Sequence, residues 1–249
     1  MLTREQVEQF QKDGYLVFES LIQGERLAYY KQVFDELVEQ GAKLQEQVPH
    51  WTLELDENGM PQPGLLHKIQ GVCVVDPRVI ELAREPAITG RISALLEAEE
   101  LDFFGTKFFP KLPHGGTSTH WHQDNYYFGT ESDRIISCGT YLEDTDKENG
   151  CLRVVPGSHR MGKIVEHKKD PARHGRWTDV DESMAVDLVV PGGSVAIFSA
   201  NILHGAYDNF SDRSRYSTAW HYLPRELNPE KFVRGEYNDR HDASALQSV

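Results

Sequence analysis

Cysteine is scarce: Cys73, Cys138 and Cys151 stand far apart in a chain of 249 residues. They form no Cys-x-x-Cys pair, so neither a disulfide framework nor a zinc knuckle is indicated, and buried thiols are expected. Long apolar runs are missing too, none approaching the ~20 residues of a membrane span. The opening MLTREQVEQFQKDGY lacks the apolar centre of a secretory signal, so a cytoplasmic protein with no membrane partner is expected. Positive charge is in deficit, with 26 Lys and Arg against 39 Asp and Glu and a formal net charge of −13. Such a surface repels phosphate backbones and argues against nucleic acid as a partner. An anionic small substrate would therefore need a local basic patch. The candidate is GKIVEHKKDPARHGRW, with Lys163, Lys168, Lys169, Arg173 and Arg176, set against the alternative of a solvated loop.

Repeats, low-complexity segments and linkers are also absent, and residues 1–249 read as a single domain. The first third reads as helical. Thr3 and Gln6 form a capping box that opens a short helix, Asp13-Gly14 ends it, and YLVFES follows as a β-prone run. Leu27, Tyr30, Phe34, Leu37 and Val38 recur at helical spacing up to a stop at Gly41. Asp76-Pro77 starts another helix, and Ile88, Ile92, Leu95 and Leu96 mark a last one. From about residue 101 short β-prone runs alternate with turns: LDFFGTKFFP, RIISCGTYLEDT, CLRVVPGSH, AVDLVV, SVAIFS and RYSTAWHYL. No crossover helices separate them, so the expected fold is mainly β, a barrel or sandwich with flanking α-helices. Residues 157–184 form a long irregular stretch of the kind that makes lids. PGSHR at 156–160, with His159 and Arg160, reads as a turn.

The segment THWHQDNYYF carries two histidines and an aspartate in five positions. On a strand, residues two apart share a face with Cα atoms ~6.7 Å apart, so His122 and Asp124 converge while His120 lies too far along to join them. By the same alternation Tyr126 and Phe128 turn toward the metal side as candidate pocket residues, and Gln123 and Asn125 turn away. His-x-Asp alone is a weak signal. It gains force from His204, eighty residues on, delivered by the strand GGSVAIFSANILHGAYDN. Two His and a carboxylate with open positions describe both non-haem Fe(II) oxygenases and zinc hydrolases. The discriminator is a pair of arginines nine and eleven residues after His204, Arg213 and Arg215. A guanidinium grips a carboxylate through two parallel hydrogen bonds, which suits the far carboxylate of a metal-chelating 2-oxo acid.

These segments, with LTREQVEQFQKDGYLVFESLI, HKIQGV, ENGCLRVVPGSHR and HGAYDNFSDRSR, resemble the phytanoyl-CoA dioxygenase family of Fe(II)/2-oxoglutarate oxygenases over nearly the whole chain. The resemblance implies a double-stranded β-helix (jelly-roll, cupin-like) core, with Fe(II) held by His122, Asp124 and His204. It places the 2-oxoglutarate arginine at Arg215, leaving Arg213 as a turn residue paired with Asp212. It implies that Lys68 contacts the co-substrate. Two residues after the distal histidine relatives often carry Ser, where this chain has Ala206; Thr140 is the candidate replacement hydroxyl. Because Asp124 is present, oxygen insertion or desaturation with O2 is expected rather than halogenation. His114, His167, His174 and His221 are assigned no role. The expected activity is hydroxylation, or another oxidation, of an unactivated C–H bond of a small molecule, with release of succinate and CO2. The alternatives are a non-catalytic jelly-roll binding or sensing module and a zinc-dependent cupin-like hydrolase or isomerase. Nothing in the sequence chooses between a monomer and a homo-oligomer.

Overall fold

Thr3 caps the first helix as expected: its hydroxyl accepts from the Gln6 amide, and the Gln6 side chain returns to the Thr3 amide. That helix, α1 (Arg4–Asp13), ends at Gly14 in the left-handed conformation and leads into β1 (Tyr15–Phe18). The computed structural model describes residues 2–169, 174–229 and 238–244. The long amphipathic helix α2 (Gly24–Gly41) buries Tyr30, Val33, Phe34 and Leu37 along one stripe. Two strands follow, β2 (Trp51–Leu55) and β3 (Pro61–Gln70). Three short helices, α3 (Val72–Val75), α4 (Val79–Ala83) and α5 (Pro86–Leu96), complete the first third. The expectation of a helical first third, broken only by the β-prone run YLVFES, with the β core from about residue 101, is therefore corrected. Tertiary pairing recruits β2 and β3 into the main sheet, which the sequence pattern did not signal, whereas β1 falls on the β-prone run YLVFES.

Beyond residue 100 come β4 (Leu101–Phe109), the five-residue helix α6 (Asp124–Phe128), β5 (Ile136–Tyr141) and β6 (Leu152–Val154). They are followed by β7 (Val186–Leu188), β8 (Ser194–Ser199), β9 (His204–Ala206), β10 (Ser217–Pro224) and β11 (Arg240–Asp242). The larger antiparallel sheet runs β1-β8-β5-β10-β4-β3-β2, with β11 also paired to β4. The smaller is β7-β6-β9, and a bridge between His122 and His204 extends it by one more segment. This is the mainly β, double-sheet architecture expected of a jelly roll.

Alternation along β10 separates two environments. Trp220 and Tyr222 face the helices, and the Tyr222 hydroxyl donates to the Ala83 carbonyl. Ser217, Ala219 and His221 face the space between the sheets. The helix-side core joins α2 and α5 to the large sheet, with the Phe34 and Phe108 rings 4.4 Å apart. A second cluster, including Tyr141, Val154, Leu188 and Phe198, fills the interior between the sheets. Every residue of β5 and β8 is buried, because both faces of these strands are covered. The cysteines are buried thiols, as expected.

Two glycines are demanded by geometry. Gly193, at φ +80°, forms the turn before β8, and a Cβ there would lie 1.9 Å from the Ile22 carbonyl oxygen. Gly105, at φ +60°, sits in a bulge: Lys107 opposes Ala219 while Phe104 opposes His221. Two residues of β4 thus face one of β10, so Phe104 and Lys107, three apart, reach the same imidazole.

Candidate active site

His204 opens β9, and its amide and carbonyl exchange hydrogen bonds with those of His122, at 3.0 and 2.9 Å. The two rings are thereby set side by side, centroids 4.1 Å apart. Asp124 is the first residue of α6, so it does not share a strand face with His122 as expected; a turn into a helix brings the carboxylate round. The Asp124 oxygens lie 3.4 Å from His122 Nε2 and 3.6 Å from His204 Nε2, and all three side chains are buried. Their ligand atoms fall within 4.8 Å of one another. Each histidine points its Nδ1 at a backbone carbonyl, His122 at that of His120 (2.7 Å) and His204 at that of Ile202 (3.1 Å). A carbonyl accepts only, so Nδ1 carries the proton and both Nε2 lone pairs face Asp124. That is the tautomer a metal requires. Burial, reinforced by His122, pushes His204 down to about 4. Burial also opposes the Asp124 charge, but the imidazoles of His221, His204 and His122 outweigh it and hold the carboxyl well below its usual range. A neutral histidine and an ionised carboxylate are ligand-ready at neutral pH, and the donor set fits a divalent metal.

The residues between and beside the ligands act as clamps. Gln123 donates to the Asn201 carbonyl (2.8 Å) and accepts from the Val165 amide (2.9 Å). Asn125 donates to the Asn201 side chain and to the Ser132 carbonyl, both at 2.7 Å. Both point away from the metal group, as expected, and tie it to the loop that delivers His204. The Asp124 Oδ2 atom accepts from the Ser137 hydroxyl at 2.6 Å, and Ser137 lies 2.9 Å from His221 Nδ1.

The triad opens into a cavity of about 290 Å³ between the sheets. Arg215 lines it and is buried. Its Nη1 donates to the Ser217 hydroxyl, its Cζ lies 5.6 Å from the Tyr141 ring centroid, and its Nε has no partner. Among the described residues no carboxylate pairs with this guanidinium, and burial lowers its pKa. Lys68 also lines the cavity, lowered to about 8 by burial and by neighbouring Lys107. Arg213 instead faces solvent in an ion pair with Asp146, while Asp212 pairs with His114, which corrects the expected Arg213–Asp212 contact.

Two expected placements change, those of Thr140 and Tyr126. Thr140 is off the cavity: Ser137 and Tyr141 face it, whereas Thr140 shares the face of Ile136 and Cys138 in the helix-side core. The hydroxyl beside Arg215 is that of Ser217, and Ala206 lines the wall without a polar group. Tyr126 stacks on His167 with centroids 4.0 Å apart and does not line the cavity, while Phe128 does and Tyr127 joins it. Strand alternation misassigned Tyr126 and Tyr127, though not Phe128, because the segment is helical.

Three of the four histidines left without a role, all but His114, prove to be site neighbours. His221 adjoins Asp124, and His167 accepts from the Gln123 amide. His174 stacks on His67 at 4.1 Å and closes the wall together with Gly175 and Arg176. The 163–177 segment therefore reaches over the site through residues 174–176, while Lys168 pairs with Asp179 at the surface. Arg173 lies outside the described residues. Ser137, Lys107, Ser217 and His221 were missed because strands that are distant in sequence bring them together. The spacing of Ser217 two residues after Arg215 was the one available signal.

Comparison with known proteins agrees with this geometry. The family profile for phytanoyl-CoA dioxygenase (PhyH) matches residues 10–217. An ectoine dioxygenase of Bordetella parapertussis is 25% identical, aligned over 93% of this chain and 79% of its own. A probable alpha-ketoglutarate-dependent hypophosphite dioxygenase of Stutzerimonas stutzeri is 24% identical over 83% of this chain and 73% of its own. Among solved structures, EvdO2 of Micromonospora carbonacea var. aurantiaca, complexed with 2-oxoglutarate, superposes with a TM-score of 0.70 at 25% identity, covering 92% of this chain and 95% of that one. Iron-bound EctD of S. alaskensis shares the fold, with a TM-score of 0.73 at 21% identity over 95% and 83%. These relationships decide against the binding-module and zinc-hydrolase alternatives: the chain belongs to the phytanoyl-CoA dioxygenase family of iron- and 2-oxoglutarate-dependent oxygenases.

Proposed function

We propose that this protein oxidises an unactivated C–H bond of a small anionic metabolite, most simply by hydroxylation, with release of succinate and CO2. In this reading His122, Asp124 and His204 hold the iron. Arg215, with the Ser217 hydroxyl and Lys68, receives the far carboxylate of 2-oxoglutarate. The observation that carries it is Arg215: a buried guanidinium with an orphaned Nε, in the same cavity as the triad, with no carboxylate partner among the described residues. A buried charge of this kind is costly until an anion arrives. Ferrous iron with 2-oxoglutarate and O2 supplies the oxidising chemistry; the protein binds, orients and keeps out water. Tyr127, Phe128 and Phe198 form apolar wall around the metal end.

Charge supports the anionic substrate. Four cationic side chains, Lys68, Lys107, Arg176 and Arg215, line the cavity, against Asp124 as the one carboxylate among its described lining residues. This cluster sits inside a chain of net charge −13. With Arg215 and Lys68 assigned to 2-oxoglutarate, Lys107 and Arg176 are left for the substrate. One relative is named for hypophosphite, itself a small anion. A volume near 290 Å³ is at the low end of the ~300–1,000 Å³ of ligand pockets, and co-substrate and substrate must share it.

The test is anaerobic addition of Fe(II) and 2-oxoglutarate, expected to give the weak visible charge-transfer band of a chelated oxo acid. A panel of small carboxylates, phosphonates and neutral analogues is then screened by succinate release and oxygen uptake. Lack of the band in the wild-type protein overturns the cofactor assignment, and turnover confined to neutral compounds overturns the anionic one.

A further inference from the structure

The carboxylate ligand does not stand alone. A chain of three further side chains runs from the cavity to Asp124: Lys107 Nζ lies 3.2 Å from His221 Nε2, His221 Nδ1 lies 2.9 Å from Ser137 Oγ, and Ser137 Oγ lies 2.6 Å from Asp124 Oδ2. The proton positions follow from the chemistry of the groups. An ionised carboxylate only accepts, so the single Ser137 proton goes to Asp124. The Ser137 oxygen must then accept from His221, which places the imidazole proton on Nδ1. His221 Nε2 is left bare and accepts a hydrogen bond from the ammonium of Lys107. Every link has one donor and one acceptor, all running toward Asp124. Two features of the fold build the chain. The Gly105 bulge brings Lys107 and Phe104 to the same ring, and a Cβ at Gly105 would press on His221 Cδ2 at 3.3 Å. Phe104 and Phe128 hold that ring with centroids 5.4 and 4.7 Å away.

We infer that Ser137, His221 and Lys107 are positioning residues for the metal: they hold Asp124 Oδ2, which also lies 3.6 Å from His204 Nε2, lock the carboxylate rotamer and leave Oδ1 directed at His122. Oδ1 is the oxygen 3.4 Å from His122 Nε2. This inference goes beyond the proposed function, since it concerns metal affinity and holds for whatever substrate the cavity takes.

Isothermal calorimetry with Co(II) alone, anaerobically and without 2-oxoglutarate, tests it. Removing an outer partner of a metal ligand commonly costs 10–100-fold in affinity, so Ser137→Ala and His221→Phe are expected to weaken Co(II) binding by about that factor. Ser137→Thr keeps the hydroxyl and is expected to bind within about threefold of wild type. The metal-free Tm of each variant is read in parallel, since a merely structural role would lower Tm and leave the affinity of the folded fraction unchanged. Ser137→Ala binding Co(II) as tightly as wild type overturns the inference, as does failure of Ser137→Thr to restore binding. Should Ser137→Ala not fold, Lys107→Met tests the outer link, with an expected loss of about threefold or more and unchanged affinity overturning it. A wild-type protein that binds Co(II) but takes no 2-oxoglutarate would sink the proposed function and leave this inference standing.

Discussion

Replacing Arg215 with Met removes the guanidinium while keeping an apolar stem of similar reach. In the ligand-free protein the opposing contributions nearly cancel. The variant loses the Ser217 hydrogen bond and the contact with the Tyr141 ring, together roughly 2–5 kcal/mol. It is relieved of burying an unpaired charge, which costs several kcal/mol. The metal-loaded Tm without co-substrate should therefore stay near wild type. With 2-oxoglutarate the cancellation ends, because breaking one side of a buried charge pair costs about 3–5 kcal/mol, a rise in Kd of roughly 10²–10⁴-fold. At a concentration of 100 times the wild-type Kd, the co-substrate stabilises the wild-type protein by about 2.7 kcal/mol. For a chain of this length each kcal/mol moves Tm by about 2–4 °C, so the expected shift is about 5–11 °C for wild type and about 1 °C for the variant. The assay is anaerobic thermal unfolding with Mn(II), with and without 2-oxoglutarate. An Arg215→Met protein that keeps the wild-type shift would refute the assignment of the far carboxylate to Arg215. A large fall in Tm before any co-substrate is added would show that the guanidinium holds the fold together instead.

Asp124→Ala deletes the carboxylate of the triad, and calorimetry should find Co(II) affinity reduced by more than about 100-fold; retained affinity would remove Asp124 from the metal group. Lys68 is lowered to about 8 by burial and by Lys107. Its ammonium is thus present below pH 8 and lost above it, so 2-oxoglutarate affinity should weaken as pH rises through 8, by up to about tenfold per unit. Lys68→Met should flatten that profile, and a wild-type profile unchanged in shape would argue against Lys68 as a carboxylate contact. Gly193→Ala sets a Cβ against the Ile22 carbonyl at a positive φ. Denaturant unfolding should show a loss of about 2–4 kcal/mol, and an unchanged midpoint would contradict the turn geometry.

The gathering of His122, Asp124 and His204 was legible from the sequence because coordination chemistry narrows the choice of residue type, while Arg215 was singled out from Arg213 by the family resemblance. The helical stripe of α2, the capping box of α1 and the short strands after residue 101 were legible for a similar reason, since periodicity and end signals are local. What only the tertiary structure decided is everything that depends on which distant segments meet. Strand β3 became a sheet member because β4 offered it an edge, and β2 joined through β3. Asp124 reached the histidines by a turn into a helix, which turned Tyr126 away from the cavity and brought Tyr127 to it, against the pattern a strand would impose. Ser217 took the place beside Arg215 that sequence reasoning offered to Thr140, since side-chain direction on β5 follows from its register with β8 and β10. The chain from Lys107 through His221 and Ser137 spans three strands and depends on one bulge, so no window of sequence contains it. Local chemistry is written along the chain, but the second layer that tunes it arises from pairing across the sheet, where a slip of one residue turns a side chain from the cavity to the core.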